Sequence, residues 1–223
     1  MKNALKHIIA AALLVPVAAA AQQPIVPRET PLASPYQRYT TYQISLRYGV
    51  FQPVGSLADF TGDVANRNFA VAGEWVMPRT NLSFGGQFSN QFFSDRLPRQ
   101  VYRLASGADI SAVQSRSFQM RSLLATAKYH FADVTARLRP YAQVGAGVAF
   151  VEYGQYLGNL EADANNSFRF GAQAALGTRF VFRREGGLGL DAQVAYHYVP
   201  YNYAMVSNPS AVGVWVGVFY RWW

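Results

Sequence analysis

Charged and amide side chains lie in one period-two phase in two consecutive segments of the chain. They share one phase in each segment: Arg169, Gln173 and Arg179 in the first, and Asp191, Gln193 and His197 in the second. Alternate side chains of a β-strand point to the same side, so each segment would bring its polar groups onto one face. Such groups can neutralise one another by ion pairing or, where water reaches them, line a narrow path for ions.

The same phase continues through other segments and defines a larger set of polar residues that we predict to face one interior. This predicted interior set comprises Arg47, Glu74, Gln87, Arg121, Gln143, Arg169, Gln173, Arg179, Asp191, Gln193, His197 and Arg221. Within the set, a hairpin turn at Arg183 to Gly187 places Arg179 directly opposite Asp191. Arg221, at a similar height on the next strand, would approach the same carboxylate from its other side.

Metal and thiol chemistry have no support in the sequence. The chain has no Cys and only three His, and its carboxylates do not cluster at the spacing of metal ligands. We therefore expect no metal site, no cofactor and no disulfide. The basic residues are scattered rather than clustered with aromatic residues, so the formal net charge of +8 does not indicate nucleic-acid binding.

Strands must position these polar residues, because period-two alternation dominates from Thr41 to Trp222. About eight such segments occur, each near the roughly 9 to 11 residues of a tilted membrane-spanning strand. Short connections at 78–81, 132–139 and 183–187 alternate with long ones at 52–66, 94–116, 154–166 and 201–210. This alternation predicts an all-β fold, a closed antiparallel up-and-down transmembrane β-barrel of eight strands, with short periplasmic turns and long extracellular loops.

One segment, "SFQMRSLLATAKYHF", does not keep a single phase. Phe118 and Met120 fall in one phase, whereas the later apolar residues of the segment fall in the other. Two interpretations remain open. Either a β-bulge near Ser122 reconciles the phases, or Lys128 and His130 point outward at the edge of a membrane.

The N-terminus indicates export. Basic residues, an apolar run and a small-residue cleavage pattern predict a signal peptide at 1–21. The apolar run is shorter than the roughly 20 residues that a spanning helix needs. A proline-rich arm follows at 22–39, and the predicted barrel domain occupies 40–223.

The polar phase is rich in Gly, Gln, Ser and Arg, with almost no Lys or Glu, which is typical of a filled lumen rather than a solvated exterior. The apolar phase then faces lipid, and the sheet must close because open edges do not occur in hydrocarbon. The last segment, "GVWVGVFYRWW", resembles the terminal strand of outer-membrane barrels, whose final aromatic residue is associated with assembly by the barrel-insertion machinery. The resemblance assigns this role to Val216, Val218, Tyr220, Trp222 and Trp223. The alternating phase ends on Trp222 and Trp223 is one residue more than the pattern has, so either Trp can be the terminal aromatic residue of the signal.

The segment "RPYAQVGAGVAF", with the strand pattern from about Tyr39 onward, resembles the family of small OmpA-like and opacity-type outer-membrane β-barrel proteins. The resemblance implies a monomer in the outer membrane of a Gram-negative cell envelope, in contact with lipid and lipopolysaccharide. It also implies a structural or surface-interaction role. The candidates for contact with anionic lipopolysaccharide lie in the longest connection: Arg96, Arg99, Arg103 and Arg116.

Two other functions stay open. Barrels of about eight strands are filled by side chains, and the main alternative is a narrow ion or small-solute channel gated by the charged pairs. The second is a lipid A-modifying enzyme, because deacylases and acyltransferases of the outer membrane use barrels of this size. That chemistry needs a nucleophile with a positioned base. Neither His130 nor His197 is followed by a Ser two positions on, and no residue is assigned as catalytic.

Overall fold

The computed structural model describes Tyr36 and residues 39–62, 64–103, 107, 109–182 and 187–223. The predicted signal peptide and nearly all of the predicted proline-rich arm lie outside the described residues. The described elements are β1 (Thr41–Val54), α1 (Ser56–Thr61), β2 (Ala65–Val76), β3 (Leu82–Arg96), β4 (Gln100–Arg103), β5 (Asp109–Ala112), β6 (Gln114–His130), β7 (Leu138–Leu157), β8 (Leu160–Val181), β9 (Leu188–Tyr198), β10 (Asn202–Tyr203), β11 (Val206–Ser207) and β12 (Ser210–Trp222).

Eight of these strands form one closed antiparallel barrel in the order β1-β12-β9-β8-β7-β6-β3-β2. The fold class predicted from the alternation is confirmed. Closure joins β1 to β12, with Tyr42 opposite Trp222 and Val54 opposite Ser210. None of the helical residues that the structure describes belongs to a segment with the length and hydropathy of a transmembrane helix.

The two ends of the barrel differ in the length of their connections, as predicted. Few residues separate Val76 from Leu82, His130 from Leu138 and Val181 from Leu188, and these strand ends all lie at one end of the barrel, here called the turn end. At the other end, the loop end, the long connections carry structure of their own: α1, the β4–β5 hairpin and the β10–β11 hairpin. The predicted loop at 154–166 is instead a continuation of the sheet, since β7 and β8 pair as far as Leu157 and Leu160.

The outer face of the barrel is apolar on every side. Exposed side chains on this face include Leu46, Val71, Phe84, Phe88, Leu123, Val144, Val148, Leu176, Leu190 and Val216. The facing predicted for the last strand is confirmed, because Val216 is 56 % exposed and the neighbouring Trp215 is 0 % exposed. Water does not favour a continuous surface of this kind, whereas lipid does.

Strand β6 keeps one uninterrupted register with both of its neighbours. Phe118, Met120, Lys128 and His130 are all buried and all point inward. Both interpretations of this segment were therefore wrong: the strand has no bulge near Ser122, and neither basic residue faces outward. The phase appeared mixed because the inward face of β6 changes from apolar near the loop end to polar near the turn end.

This single phase also reverses the prediction for Arg121, which points outward rather than into the lumen. Its Nη1 donates to Glu152 Oε1 at 2.9 Å, and its guanidinium lies 6.0 Å from the ring centre of Phe150. Asn90 on β3 lies opposite Arg121 and Phe150 opposite Phe168. Aromatic and polar side chains thus mix at this height, which is typical of a membrane interface.

The lumen is filled in two layers. Toward the loop end, the layer is apolar and includes Phe51, Leu57, Phe60, Phe118, Val206 and Trp215, all at most 1 % exposed. Toward the turn end, the layer is polar and charged. The prediction of a polar filling is correct for the turn half alone, since side chains of α1 and of the β10–β11 connection fold over the other half.

Candidate functional site

Arg179 lies at the centre of the polar layer and binds both buried carboxylates. Its Nε donates to Asp191 Oδ2 at 3.1 Å, as the hairpin register predicted, and Arg179 and Asp191 are direct cross-strand partners. Its Nη2 donates to Glu74 Oε1 at 2.6 Å, and its Nη1 donates to Glu74 Oε2 at 3.0 Å. Gln43 Oε1 accepts a further bond from Nη1 at 2.5 Å. The guanidinium is thereby paired on all sides in a site without access to water.

The second cation at Asp191 is Arg47, with Nε 3.5 Å from Asp191 Oδ2. Gly217 makes this contact possible, because it is the cross-strand partner of both Asp191 and Arg47. A Cβ at position 217 would lie 2.9 Å from Cγ of Arg47, so a side chain there would occupy the space through which Arg47 reaches the carboxylate.

The predicted approach of Arg221 to Asp191 is therefore wrong. Its Nη1 donates to the backbone oxygen of Val134 at 2.8 Å, and its guanidinium lies 4.0 Å from the ring centre of Tyr36. Arg221 sits opposite Gln43 rather than opposite Arg47, which places it nearer the turn end. It joins the N-terminal arm to the barrel instead of completing the charged layer.

Lys128 and Tyr141 complete the charged layer, and neither was in the predicted interior set. Lys128 forms an ion pair with Glu74, and its Nζ lies 4.8 Å from the ring centre of Tyr141. The Tyr141 hydroxyl lies 2.6 Å from Asp191 Oδ1 and 2.8 Å from Gln193 Oε1. The phase of Tyr141 matches that of Gln143 in the sequence, and this signal was sufficient to find it.

Amide side chains form the layer next to the charges. Gln87 Oε1 accepts from Arg47 Nη1 and from Gln143 Nε2, both at 3.2 Å. Its Nε2 donates to Gln173 Oε1 at 2.7 Å. Amides can donate and accept, so they bridge the ion pairs to the opposite wall without adding charge.

Of the predicted interior set, eight residues meet in this network: Arg47, Glu74, Gln87, Gln143, Gln173, Arg179, Asp191 and Gln193. His197 is buried in the apolar layer, with its ring 5.3 Å from that of Phe51 and 6.3 Å from that of Trp215. Arg169 is exposed at the loop end, 5.8 Å from the ring centre of Tyr201. The period-two phase shows which side of a strand a residue lies on, but it does not show how far along the barrel axis the residue lies.

A serine and a histidine meet inside the barrel, although no motif in the sequence predicted the pair. Ser83 Oγ and His130 Nε2 are 3.1 Å apart, and both residues are fully buried on the inner wall. The Nδ1 of His130 has no hydrogen-bond partner, so no carboxylate orients the ring. Among the described residues, no group of three or more potential ligands could hold a metal ion.

Aromatic rings connect the structured loops at the loop end. Phe60 of α1 stacks on Tyr153 of β7 at 4.8 Å, and Tyr153 contacts Tyr203 of β10 at 5.3 Å. Tyr201 lies between Tyr203 and Phe118, at 6.3 Å and 5.9 Å. Burial, together with the neighbouring Tyr203, raises the pKa of Tyr201 to about 12. We call these five residues the loop-end aromatic cluster.

The four predicted loop arginines divide into two groups. Arg96, Arg99 and Arg103 are exposed, and Arg103 pairs loosely with Asp109 across the β4–β5 hairpin at 3.8 Å. Arg116 instead packs inward, with its guanidinium 5.5 Å from the ring centre of Phe60 and its Nη1 3.4 Å from the backbone oxygen of that residue. Arg116 supports the aromatic cluster, and the other three remain available on the surface.

No protein-family model matches this sequence, and no curated protein matches it. Solved structures do: the Neisserial surface protein A is 16 % identical, with 82 % of this chain and 97 % of that chain covered and a TM-score of 0.51. The chain has the fold of the small eight-stranded outer-membrane barrels. A major outer membrane protein from Thermus thermophilus is also similar, at 12 % identity over 82 % of this chain and all of the other, with a TM-score of 0.49. The Escherichia coli outer membrane protease OmpT aligns at 8 % identity over 86 % of this chain and 99 % of its own, with a TM-score of 0.42.

Proposed function

We propose that this protein is an integral outer-membrane barrel with a closed interior, and that it acts through the surface presented at its loop end. The proposal rests on one observation: apolar side chains cover the outside of the barrel and charged side chains are buried inside, which is the reverse of a water-soluble protein. Phe84, Leu123 and Val144 are exposed on the outer wall, whereas Glu74, Arg179 and Asp191 are buried within. This arrangement is favourable when hydrocarbon surrounds the barrel.

The loop end is suited to binding because its loops are held in place before any partner arrives. The loop-end aromatic cluster joins α1, β6, β7 and the β10 segment. Preorganised loops lose little conformational entropy on binding. At the same end of the barrel, the β4–β5 hairpin and its flanks present Arg96, Arg99 and Arg103 to the outside, and we propose that these arginines contact the phosphate groups of neighbouring lipopolysaccharide.

Lipopolysaccharide binding by the purified protein in lipid nanodiscs tests the surface role. The variant Arg96→Gln/Arg99→Gln/Arg103→Gln should weaken binding several-fold at low ionic strength, and the difference should shrink as salt screens the charges. The control is Arg79→Gln/Arg137→Gln, which removes exposed cations at the turn end. If both variants bind like the parent, the arginines have no part in the interaction.

Planar-bilayer recording tests whether the interior is closed. We expect no large, stable conductance, because the apolar layer around Trp215 and the charged layer around Arg179 lie in series along the barrel axis. Steady steps that depend on the reconstituted protein would contradict the closed interior and favour a channel. Fractionation with the outer membrane, together with a faster gel mobility of unheated protein, checks the location independently.

A further inference from the structure

Arg139 stands on the inner wall of β7 near the turn end, and it forms no ion pair with Glu74 or Asp191 of the charged layer. The residue is 1 % exposed, and its Nε and Nη2 have no hydrogen-bond partner. Its direct cross-strand partner on β8 is another cation, Arg179. Like charges placed opposite each other on one face of a sheet repel.

The buried carboxylates are already engaged by other groups. Glu74 contacts Arg179, Lys128 and Arg47, while Asp191 contacts Arg179, Arg47 and the hydroxyl of Tyr141. None of the ion pairs found in the described part of the chain includes Arg139. Among the described residues of this interior, three cations therefore share two carboxylates, and Arg139 adds a fourth positive charge. The other described carboxylate that attracts Arg139, Asp133, is exposed in the connection after β6 and forms no ion pair with it. A buried charge without a counterion strongly destabilises a protein.

A second buried side chain with an unsatisfied hydrogen-bonding atom, His130, lies beside Arg139. His130 is the cross-strand partner of Tyr141, and Arg139 precedes Tyr141 by two residues on the same strand. Arg139 and His130 are thus diagonal neighbours on the inner wall. The Nδ1 of His130 has no partner, whereas its Nε2 lies 3.1 Å from Ser83 Oγ. When the serine hydroxyl donates to Nε2, Nδ1 carries the proton and becomes a donor.

We propose that the turn end of the lumen binds a small inorganic anion between Arg139 and His130. The anion accepts hydrogen bonds from Arg139 Nε, Arg139 Nη2 and His130 Nδ1, and it supplies the negative charge that this layer lacks. We take the anion to be chloride, because its single negative charge matches the single positive charge of Arg139 and a small ion needs little space in a close-packed interior. This inference is independent of the loop-end surface and of its partner.

Urea unfolding of the detergent-solubilised protein in 1 mM and 100 mM chloride, with gluconate holding the ionic strength constant, tests the site. A ligand that binds only the folded state lowers the unfolding equilibrium constant by the factor 1 + [L]/Kd. For a dissociation constant of about 10 mM, the expected decrease between the two chloride concentrations is about tenfold. Arg139→Gln should abolish the dependence, whereas Arg103→Gln on the exposed hairpin should keep it. The site is disproved if chloride has no more effect than gluconate, or if Arg139→Gln retains the full response.

Crystals of the parent protein grown in bromide give a test that does not depend on a variant that folds. We expect an anomalous peak in hydrogen-bond contact with Arg139 Nε and Nη2. Growth in phosphate instead of halide distinguishes the two ion types, because a tetrahedral density there would assign the site to phosphate rather than chloride. No anion density at Arg139 in either condition would overturn the proposal.

Discussion

The buried contact between Arg179 and Asp191 shows what a sequence reveals about single residues. The turn at 183–187 and the two alternating flanks were sufficient to place this pair, because hairpin register follows from turn length. The second cation at Asp191 was not predictable in the same way. Arg47 reaches it across Gly217, and a gap left by a missing side chain has no periodic signal.

For these single residues, we predict a large interaction free energy between the side chains of Arg179 and Asp191. Asp191→Asn leaves Arg179 and Arg47 facing an uncharged group in a dry interior, and should cost about 3 to 5 kcal/mol of unfolding free energy. A double-mutant cycle with Arg179→Gln, measured by urea unfolding, should give a clear interaction energy. The matched control is the exposed pair Arg103 and Asp109, whose coupling should be near zero. Equal coupling for the two pairs would contradict the buried network.

Tyr201 makes the loop-end aromatic cluster sensitive to alkali. The pKa of Tyr201 is raised to about 12 in the folded protein, from an ordinary value of 10.0. Its contribution to stability is therefore complete below pH 10 and is lost as the pH rises through about 12, because the unfolded chain releases the proton first. Tyrosinate absorbance and limited proteolysis of the loops should both report opening in this interval.

Two variants distinguish the titration of Tyr201 from other effects of high pH on the loops. Tyr201→Phe should reduce the loss of protection between pH 10 and 12, while Tyr39→Phe, at an exposed position, should leave the profile unchanged. If the loops of the parent become protease-sensitive well below pH 10, titration of Tyr201 is not the cause.

At the scale of strands, period-two alternation predicted every barrel strand, although it ended β7 and β8 too early. It assigned the wrong face where its assumption about the apolar residues failed. The assumption was that apolar residues face lipid. Phe118 and Met120 instead face the apolar layer of the lumen, which gave β6 an ambiguous phase and placed Arg121 on the wrong side. That layer is built by loops distant in sequence, such as Leu57 and Phe60 of α1, and periodicity within one strand carries no information about it.

The middle of β12 gives the clearest test of which side of a strand points toward lipid. Val216 is 56 % exposed on the outer wall, so Val216→Arg should cost roughly 2 to 4 kcal/mol in a bilayer. Val216→Leu keeps the surface apolar and should be nearly silent. Refolding into lipid vesicles, followed by urea titration, measures both. Equal tolerance of the two substitutions would mean that this strand does not face hydrocarbon.

At the scale of the whole molecule, the distribution of polar and apolar side chains explains both why lipid surrounds the barrel and why its interior is closed. Charges that would be unfavourable next to lipid pair with one another inside, and apolar side chains that would be unfavourable in water cover the outside. The strand count, the closure and the two types of connection were predictable from the sequence, except that β7 and β8 extend through the segment predicted as a long loop. The division of the lumen into an apolar and a charged layer was not, because it depends on how the loops fold back over the barrel.

Two native tryptophans lie on opposite faces of the barrel wall, and they can show directly which face meets lipid. Trp75 on β2 is 53 % exposed outward, and Trp215 on β12 is 0 % exposed inside. The measurement is fluorescence quenching by phospholipids brominated along their acyl chains, using two variants that each keep one of these tryptophans and carry Phe in place of the other three. Quenching should be strong for Trp75 and weak for Trp215. Equal quenching of the two, or stronger quenching of Trp215, would contradict the lipid-facing exterior and the closed barrel together.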